Sequence, residues 1–403
     1  MARAESKAAD PAPAGKPARG PASSGNRLAA TLRVLVVPAL AILTALGIGA
    51  LIIVLSNPDT LASFAYFFSR PTDALTLAWS DVSGAYSALL ETSLGSPDAI
   101  SETIVAMTPL VFAGLSVALG FQAGLFNIGG EGQIIAGSLF AVFVGFSFTD
   151  LPLVVHLPLA VAAGALGGAI WGFIPGILKA RTGAHEVITT IMLNYIALYL
   201  GDYLLGKPLF QRTGRSDPVS KVVETTAQLP QIGDLRVNLG IVLALAAAFG
   251  VWWLLYKTTV GFEMRAVGAS PSASTYAGMS VATTYVVVMA LAGALAGLGG
   301  TSNVLGIQHS LFPGFTGYGF DAIALALLGR SHPFGVVAAA FLFGVLRAGS
   351  VGMQAATATP VDIIVVIQAL IIAFVAAPAL VRAIYRVRVG EGAQESFTRG
   401  WST

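Results

Sequence analysis

The most specific polar string in the sequence, GLFNIGGEGQ at residues 124–133, lies between two long apolar runs. It places Asn127, Glu131 and Gln133 among four glycines, which permit a tight turn or an unwound helix. At membrane depth, such a break is tolerated only against other protein or a water-filled cavity. A carboxylate there is costly and therefore indicates a functional site. The alternative is a cytoplasmic hairpin with a solvated glutamate, and the string alone does not decide between the two.

A second polar pattern lies in GAHEVITTIMLNY, residues 183–195, at the start of another apolar run. Glu186, Thr190 and Asn194 are spaced four residues apart, so they share one face of a helix. This stripe either lines a path through the helices or makes hydrogen bonds between them, and the second use is the commoner one.

The sequence gives little support for thiol chemistry, metal binding or nucleotide binding. The chain has no cysteine, which excludes disulfides, thiolate metal sites and thiol catalysis. Its four histidines are scattered, so we expect no metal cluster. The segment 201–207 matches the glycine and lysine spacing of a nucleotide-binding loop, but Pro208 stands where Ser or Thr would bind magnesium. We therefore expect no catalytic residue, metal or cofactor in this chain.

The composition determines which elements carry these residues. The chain of 403 residues is 55% hydrophobic and only 10% charged, with a mean hydropathy of +0.79 and a formal net charge of +2. Soluble domains carry about 25% charged residues. A chain this long and this poor in charge cannot cover a soluble surface. The sequence predicts an all-α integral membrane protein with several spans.

Hydropathy predicts ten transmembrane helices. They lie near residues 34–55, 104–121, 131–148, 153–178, 187–205, 237–256, 279–299, 320–329, 334–349 and 361–381. The span at 320–329 is short and is interpreted as one arm of a broken helix. Basic residues before the first span and after the last place both termini in the cytoplasm. Five basic residues in the outer loop 206–236 run against that orientation.

The chain divides into four regions by composition. These are a disordered basic cytoplasmic tail (1–33), the first span with an acidic external segment (34–102), the core of the remaining spans (103–381) and a basic cytoplasmic tail (382–403). Within the external segment, the apolar patches at 61–68 and 74–79 are too short to span a bilayer. We expect them at the membrane interface.

Small residues predict where helices touch, because they let backbones approach closely in lipid. Their four-residue spacing occurs in Gly164, Gly168, Gly172 and Gly176, and again in Gly293 and Gly297. Two stretches, 104–148 and 279–349, share an order of apolar span, glycine-broken polar turn and span. They begin on opposite faces by our count, which predicts an inverted repeat with a substrate site at its interface.

A polar island, residues 257–280, separates two of the apolar runs and contains a predicted two-turn helix. Ser270 is a good N-cap, Pro271 suits the first helical position, and Gly278 provides a left-handed stop. So short a helix has almost no apolar face of its own. We interpret it as a docking element for a soluble partner, and an ordinary connector is the alternative.

Three strings together resemble one family: FNIGGEGQ, HEVITTIMLN and GFEMRAVGASPSASTYAGMS. They are similar to the permease subunits of ATP-binding-cassette importers for nucleosides, simple sugars and branched-chain amino acids. Among these branches, the chain looks closest to the nucleoside, purine-type permeases. The resemblance covers roughly residues 100–380.

The resemblance implies a type II importer-like fold of about ten spans with broken helices, in which a coupling helix docks on a separate ATPase. Carried over by position, the docking residues are Glu263, Arg265, Pro271, Ala273, Tyr276, Ala277 and Gly278. The implied partners are a cytoplasmic subunit that binds ATP and magnesium, a second related permease, and an extracytoplasmic substrate-binding lipoprotein. The implied location is the bacterial inner membrane.

The expected function is half of the translocation path for a nucleoside or related polar solute. The residues expected along this path are Phe126, Asn127, Glu131, Gln133, Asn194 and Tyr195, with the two aromatic rings stacking on the base. A simple-sugar permease is one alternative. The other is an ion-coupled secondary transporter, which would use Glu131, Glu186, Asp321 and Asp362 as ion sites.

Overall fold

The structure is a computed structural model that describes residues 24–357 and 359–386. In this part of the chain it is helical, because backbone groups in lipid must be satisfied within a helix or a closed barrel. The first seven helices are α1 (Ser24–Ser56), α2 (Pro58–Phe64), α3 (Pro71–Leu94), α4 (Pro97–Gln122), α5 (Gly130–Ser147), α6 (Leu153–Thr182) and α7 (Glu186–Leu205). The others are α8 (Gly240–Lys257), α9 (Thr259–Ala269), α10 (Pro271–Tyr276), α11 (Val281–Asn303), α12 (Tyr318–Leu328), α13 (Pro333–Thr357), α14 (Asp362–Ala376) and α15 (Pro378–Tyr385).

Eight of these helices are long and apolar enough to cross a membrane, and α12 and α14 are shorter apolar helices. Together they match the ten predicted spans, and α12 is confirmed as a short arm. Helix α4 lies at the centre, since 83% of its most apolar window is buried inside the protein. It packs against α11, α12 and α13 and carries the middle of the largest apolar core.

Three boundary predictions need correction. Residues 24–33, predicted as part of the disordered tail 1–33, form the beginning of α1, while residues 1–23 and 387–403 lie outside the described part. The span predicted at 361–381 is two helices, because the residue before Pro378 is disfavoured in the helical conformation. The third difference is a long helix within the external segment.

The acidic segment 56–102 contains a continuous helix of 24 residues, α3, which includes the predicted patch 74–79, while the predicted patch 61–68 begins in α2. The position of these patches at the membrane interface stays a prediction. The helix packs against α13 and α4, and its buried positions include Ala74, Ala85 and Ala88. Hydropathy did not predict the full length of α3, because alanine is only weakly apolar and three carboxylates interrupt its apolar residues. Helix α3 does not qualify as a membrane span by its composition.

The glycine faces of α6 and α11 pack against each other, as predicted. A Cβ added at Gly168 would lie 2.7 Å from the Cα of Gly297, and one added at Gly172 would lie 3.0 Å from the Cα of Gly293. Helix α5 joins the same contact, because Gly137 faces Gly297. These close approaches hold α5, α6 and α11 as one unit.

Contacts between the loops show which of them lie at the same end of the helix bundle. At one end, Gln122 donates to the Ser331 carbonyl over 3.0 Å, and Gly268 lies against Gln122 and Ala123. Helix α10 lies at this end. The segment 206–239 covers the other end, where Arg236 pairs with Glu102 and Asn238 donates to the Gly306 carbonyl over 2.9 Å.

Candidate functional site

Two extended segments, 125–129 and 309–317, enter the bundle from opposite ends and lead into α5 and α12. Each follows a long helix: the first follows α4, and the second follows α11 and a π-helical turn at Val304–Gln308. The two new helices begin against each other, since a Cβ added at Gly130 would lie 3.3 Å from the Cα of Gly319. Helix α5 then leads toward segment 206–239 and α12 toward α10. This arrangement agrees with the inverted repeat that we predicted.

The Glu131 side chain joins these two helix beginnings. It is fully buried in the first turn of α5, and its carboxylate accepts hydrogen bonds from the first turn of α12. The donors are the Thr316 backbone N–H, the Thr316 hydroxyl at 2.8 Å, the Gly317 N–H at 3.0 Å and the Gly319 N–H at 2.8 Å. The free N–H groups of a helix beginning attract negative charge, so this carboxylate caps α12 from another helix.

The other buried polar groups of the first string pair with one another. The Asn127 side chain donates to Gln133 over 3.0 Å and accepts from the Gly129 N–H at 3.0 Å. From α7, Asn194 accepts from the Gly132 N–H at 2.8 Å and donates to the Ile128 carbonyl over 2.9 Å. The unwound backbone at 125–129 is thus satisfied by side chains, as a helix break inside a membrane requires.

The predicted path residues fall into two groups. Asn127, Glu131, Gln133 and Asn194 are buried, and their polar groups bond within this chain. Tyr195 is half-exposed and meets Phe315 edge to face, with ring centroids 5.8 Å apart. Phe126 is half-buried beside Phe121, with centroids 5.1 Å apart. Contact of these side chains with substrate remains a prediction.

The other carboxylates considered as ion sites have different surroundings. Glu186 pairs with Lys179 over 2.7 Å, and Asp321 pairs with Arg347 over 2.8 Å. Asp362 is exposed. Arg347 was not among the predicted residues, although an arginine within an apolar span is itself a signal of a buried partner. Among the described residues, no group of three His, Asp or Glu side chains could hold a metal ion.

Helix α10 has the geometry predicted for the polar island. Ser270 caps it by accepting from the Ala273 N–H at 3.3 Å, Pro271 is its first residue, and Gly278 follows with φ +83°. Its surface is almost entirely exposed; the Tyr276 side chain is 96% exposed. The docking role of α10 stays a prediction.

The neighbouring helix α9 links α10 to the end of α4, just before the extended segment 125–129. Gly268 packs directly on the backbone of Gln122 and Ala123, and Gly124 faces Gly268 in turn. The Arg265 guanidinium donates to the Leu255 carbonyl over 3.0 Å and lies over the Tyr256 ring, whereas Glu263 is exposed. Helix α9 therefore packs directly against the end of α4, next to the segment that leads to Glu131.

Comparison with known proteins agrees with this architecture. Residues 99–376 match the family described as the permease component of branched-chain amino acid transport systems. The chain is 42% identical to the guanosine ABC transporter permease NupP of Bacillus subtilis, over 86% of this chain and 94% of that protein. It is 39% identical to the nucleoside ABC transporter permease NupB of Lactococcus lactis, over 72% of this chain and 82% of that protein.

A third relative is the glucose ABC transporter permease TsgB13 of Haloferax volcanii, 36% identical over 84% of this chain and 86% of that protein. Bacillus subtilis and Lactococcus lactis each provide a second, more distant match, 28% and 25% identical, which is again a permease for guanosine or nucleosides. No solved structure matches the chain significantly. The family match covers the helices from α4 to α14, and the chain therefore belongs to this family of transport-system permeases, as a multi-pass membrane protein.

Proposed function

We propose that this chain is one of two permease subunits of an ATP-driven importer for nucleosides. The observation that carries the proposal is the 42% identity to a guanosine permease over 94% of that protein's length. The two permease matches within single organisms support pairing with a second, related permease rather than with an identical copy. The remaining partners would be a cytoplasmic ATPase and an extracytoplasmic lipoprotein that delivers the substrate.

The proposed mechanism assigns the work of transport to two regions of this chain. ATP and magnesium on the partner subunit would supply the driving force. Helix α10 would receive the resulting movement through its exposed residues around Ala273, Tyr276 and Ala277. Helix α9 would pass this movement to the backbone at Gln122 and Ala123, and so to the extended segments 125–129 and 309–317.

Charge supports an orientation with α10 in the cytoplasm of a bacterial inner membrane. The connections at that end carry five basic residues against two acidic ones, whereas acidic residues predominate at the other end. The basic residues are Lys179, Arg181, Lys257, Arg265 and Arg330, and the acidic ones are Glu186 and Glu263. Lysine and arginine concentrate in the cytoplasmic connections of membrane proteins.

Uptake tests the proposed function. We expect cells without other nucleoside transporters to accumulate labelled guanosine when they express this permease, its sister, the ATPase and the lipoprotein. Depletion of ATP should stop uptake, and glucose in excess should not compete. Competition by glucose would favour the sugar permease, which the third relative supports. Uptake that survives ATP depletion but collapses with an ionophore would instead select ion coupling.

Co-purification tests the docking role of α10. Replacing both Ala273 and Ala277 with glutamate adds bulk and charge to an exposed surface, so the permease should still fold and insert. We expect the ATPase to be lost from the purified complex. Replacing exposed Ser216 with glutamate, at the opposite end, is the control and should leave the complex intact. Normal recovery of the ATPase with the double variant would contradict the docking role.

A further inference from the structure

Helix α7 has one buried face and one exposed face. The buried face carries Thr190 and Asn194, and the exposed face carries Met192, Tyr195 and Tyr199. We call this exposed side the tyrosine face. The helix has 20 residues and is about 30 Å long, which is close to the thickness of the hydrocarbon core of a bilayer. Tyr195 lies halfway along the helix, so its ring lies near the middle of the membrane.

The tyrosine face differs in composition from a face that meets lipid tails. Helix α8 exposes Val242, Leu245 and Phe249, which are purely apolar, as lipid tails require. On α7, by contrast, the hydroxyl groups of Tyr195 and Tyr199 make no hydrogen bond within the described part of the chain. A hydroxyl group without a partner is costly in hydrocarbon, so the tyrosine face favours contact with protein or water.

Unpaired backbone groups lie beside the tyrosine face. Residues 312–315 are exposed and not helical, and Phe315 meets Tyr195 edge to face with ring centroids 5.8 Å apart. Within the described residues, the N–H groups of Phe312, Gly314 and Phe315 find no hydrogen-bond acceptor. Irregular backbone at membrane depth is tolerated only against protein or a water-filled cavity. Lipid therefore does not cover this surface.

A partly exposed ion pair lies at the end of the same segment. Arg347 pairs with Asp321 over 2.8 Å, and the two side chains keep 29% and 21% of their surfaces exposed. A Cβ added at Gly317 would lie 3.6 Å from the Arg347 guanidinium, and Phe320 meets Phe315 edge to face. Charged groups at membrane depth face protein or water rather than lipid. Hydroxyl groups, backbone N–H groups and an ion pair thus all indicate one surface that lipid does not cover.

We propose that the tyrosine face and residues 312–315 form the wall that this subunit contributes to the translocation path, with the base of a nucleoside stacked on the Tyr195 and Phe315 rings. The inference rests on the proposed function and adds the place and manner of recognition. Bases stack on aromatic side chains, and the free N–H groups of residues 312–315 match the acceptor atoms of a purine. A helix of the second permease would satisfy these N–H groups poorly, because its backbone carbonyls already bond within the helix. A hexose has no aromatic face to stack.

Labelling of an introduced cysteine tests whether the tyrosine face meets water, since the natural chain has none. Met192 on this face and Phe249 on α8 are similarly exposed, at 52% and 56%. In nanodiscs, both ends of the complete transporter meet the solution. We expect a charged thiosulfonate reagent to modify the M192C variant at least about tenfold faster than F249C, because the thiolate is the reactive form and it needs water. Guanosine in excess should slow the M192C reaction several-fold, and glucose should not.

The two proposals can fail separately. If the wild-type transporter takes up guanosine but M192C reacts as slowly as F249C, lipid or the second permease covers this face. The path would then be overturned, and the proposed function would stand. Fast labelling that guanosine does not slow would overturn the nucleoside as the occupant of this surface. If no nucleoside is taken up, the proposed function fails.

Two substitutions at Tyr195 test the stacking. Tyr195→Phe keeps the ring, whereas Tyr195→Leu keeps an apolar side chain without one. We expect Tyr195→Leu to raise the KM for guanosine uptake about tenfold, the usual effect of removing one aromatic side chain from a stacked base, and Tyr195→Phe to stay close to the wild type. The control Phe249→Leu removes a similarly exposed ring from α8 and should leave the KM unchanged. Equal effects of the two Tyr195 variants, or a normal KM for Tyr195→Leu, would overturn the stacking.

Discussion

The Glu131 carboxylate has a structural task that its burial alone would not reveal. Its donors all belong to Thr316, Gly317 and Gly319, so it ties the beginning of α5 to the beginning of α12. A charge buried in this way is stable only while several donors remain in place.

Replacing Glu131 with glutamine should weaken the fold as well as transport. The amide keeps one acceptor oxygen, but its NH₂ group faces backbone donors and the charge is lost. Hydrogen bonds to charged groups contribute about 1.5–3 kcal/mol each, so we expect a loss of about 3 kcal/mol in unfolding free energy. Denaturant unfolding of the purified permease measures it, with the exposed Glu91→Gln as control. Unchanged stability with impaired uptake would instead favour direct contact with substrate.

For single residues, the sequence predicted which polar side chains need partners but not which partners they have. Asn127, Glu131 and Gln133 stood out because polar side chains among glycines within an apolar run need a reason. Their pairing was out of reach, since Thr316 lies 185 residues from Glu131 along the chain.

At the scale of elements, the glycine-lined contact of α6 with α11 was the most predictable feature. Spacing of small residues determines which helix faces can approach, and spacing can be read directly. Helix α3 shows the converse, because alanine occupies most of its buried positions and three carboxylates interrupt its apolar residues. Alanines and interrupting carboxylates both give a weak hydropathy signal, so this helix is recognised only from its packing in the structure.

Adding one methyl group tests the contact between α6 and α11. At Gly168, a Cβ would lie 2.7 Å from the Cα of Gly297, and backbone atoms cannot move aside without separating the helices. We expect Gly168→Ala to lower the unfolding free energy by about 1–3 kcal/mol, the usual cost of overpacking. Gly250→Ala on α8 meets nothing within 4 Å and is the matched control. Thermal unfolding in detergent compares the two variants. Equal midpoint temperatures of unfolding would contradict the close contact.

The whole molecule has two chemically different ends, and function requires each to face its own compartment. One end offers the exposed α10 and an excess of basic residues; the other carries the structured segment 206–239, held by Arg236 and Asn238. The basic residues of that segment made the sequence-based orientation ambiguous, since charge counting treats every loop alike. The structure shows Arg236 paired with Glu102 and Arg215 with Asp217, which reduces their weight as topological signals.

Orientation can be measured with single cysteines in this cysteine-free chain. Ser272 on α10 and Ser216 in the segment at the opposite end are both exposed, so either cysteine variant should react once the reagent reaches it. In intact cells, a membrane-impermeant maleimide should label S216C, while S272C should react only after the membrane is opened. The opposite pattern would place α10 outside. An ATPase in the cytoplasm could not then reach it, and both the docking role and the direction of transport would have to be abandoned.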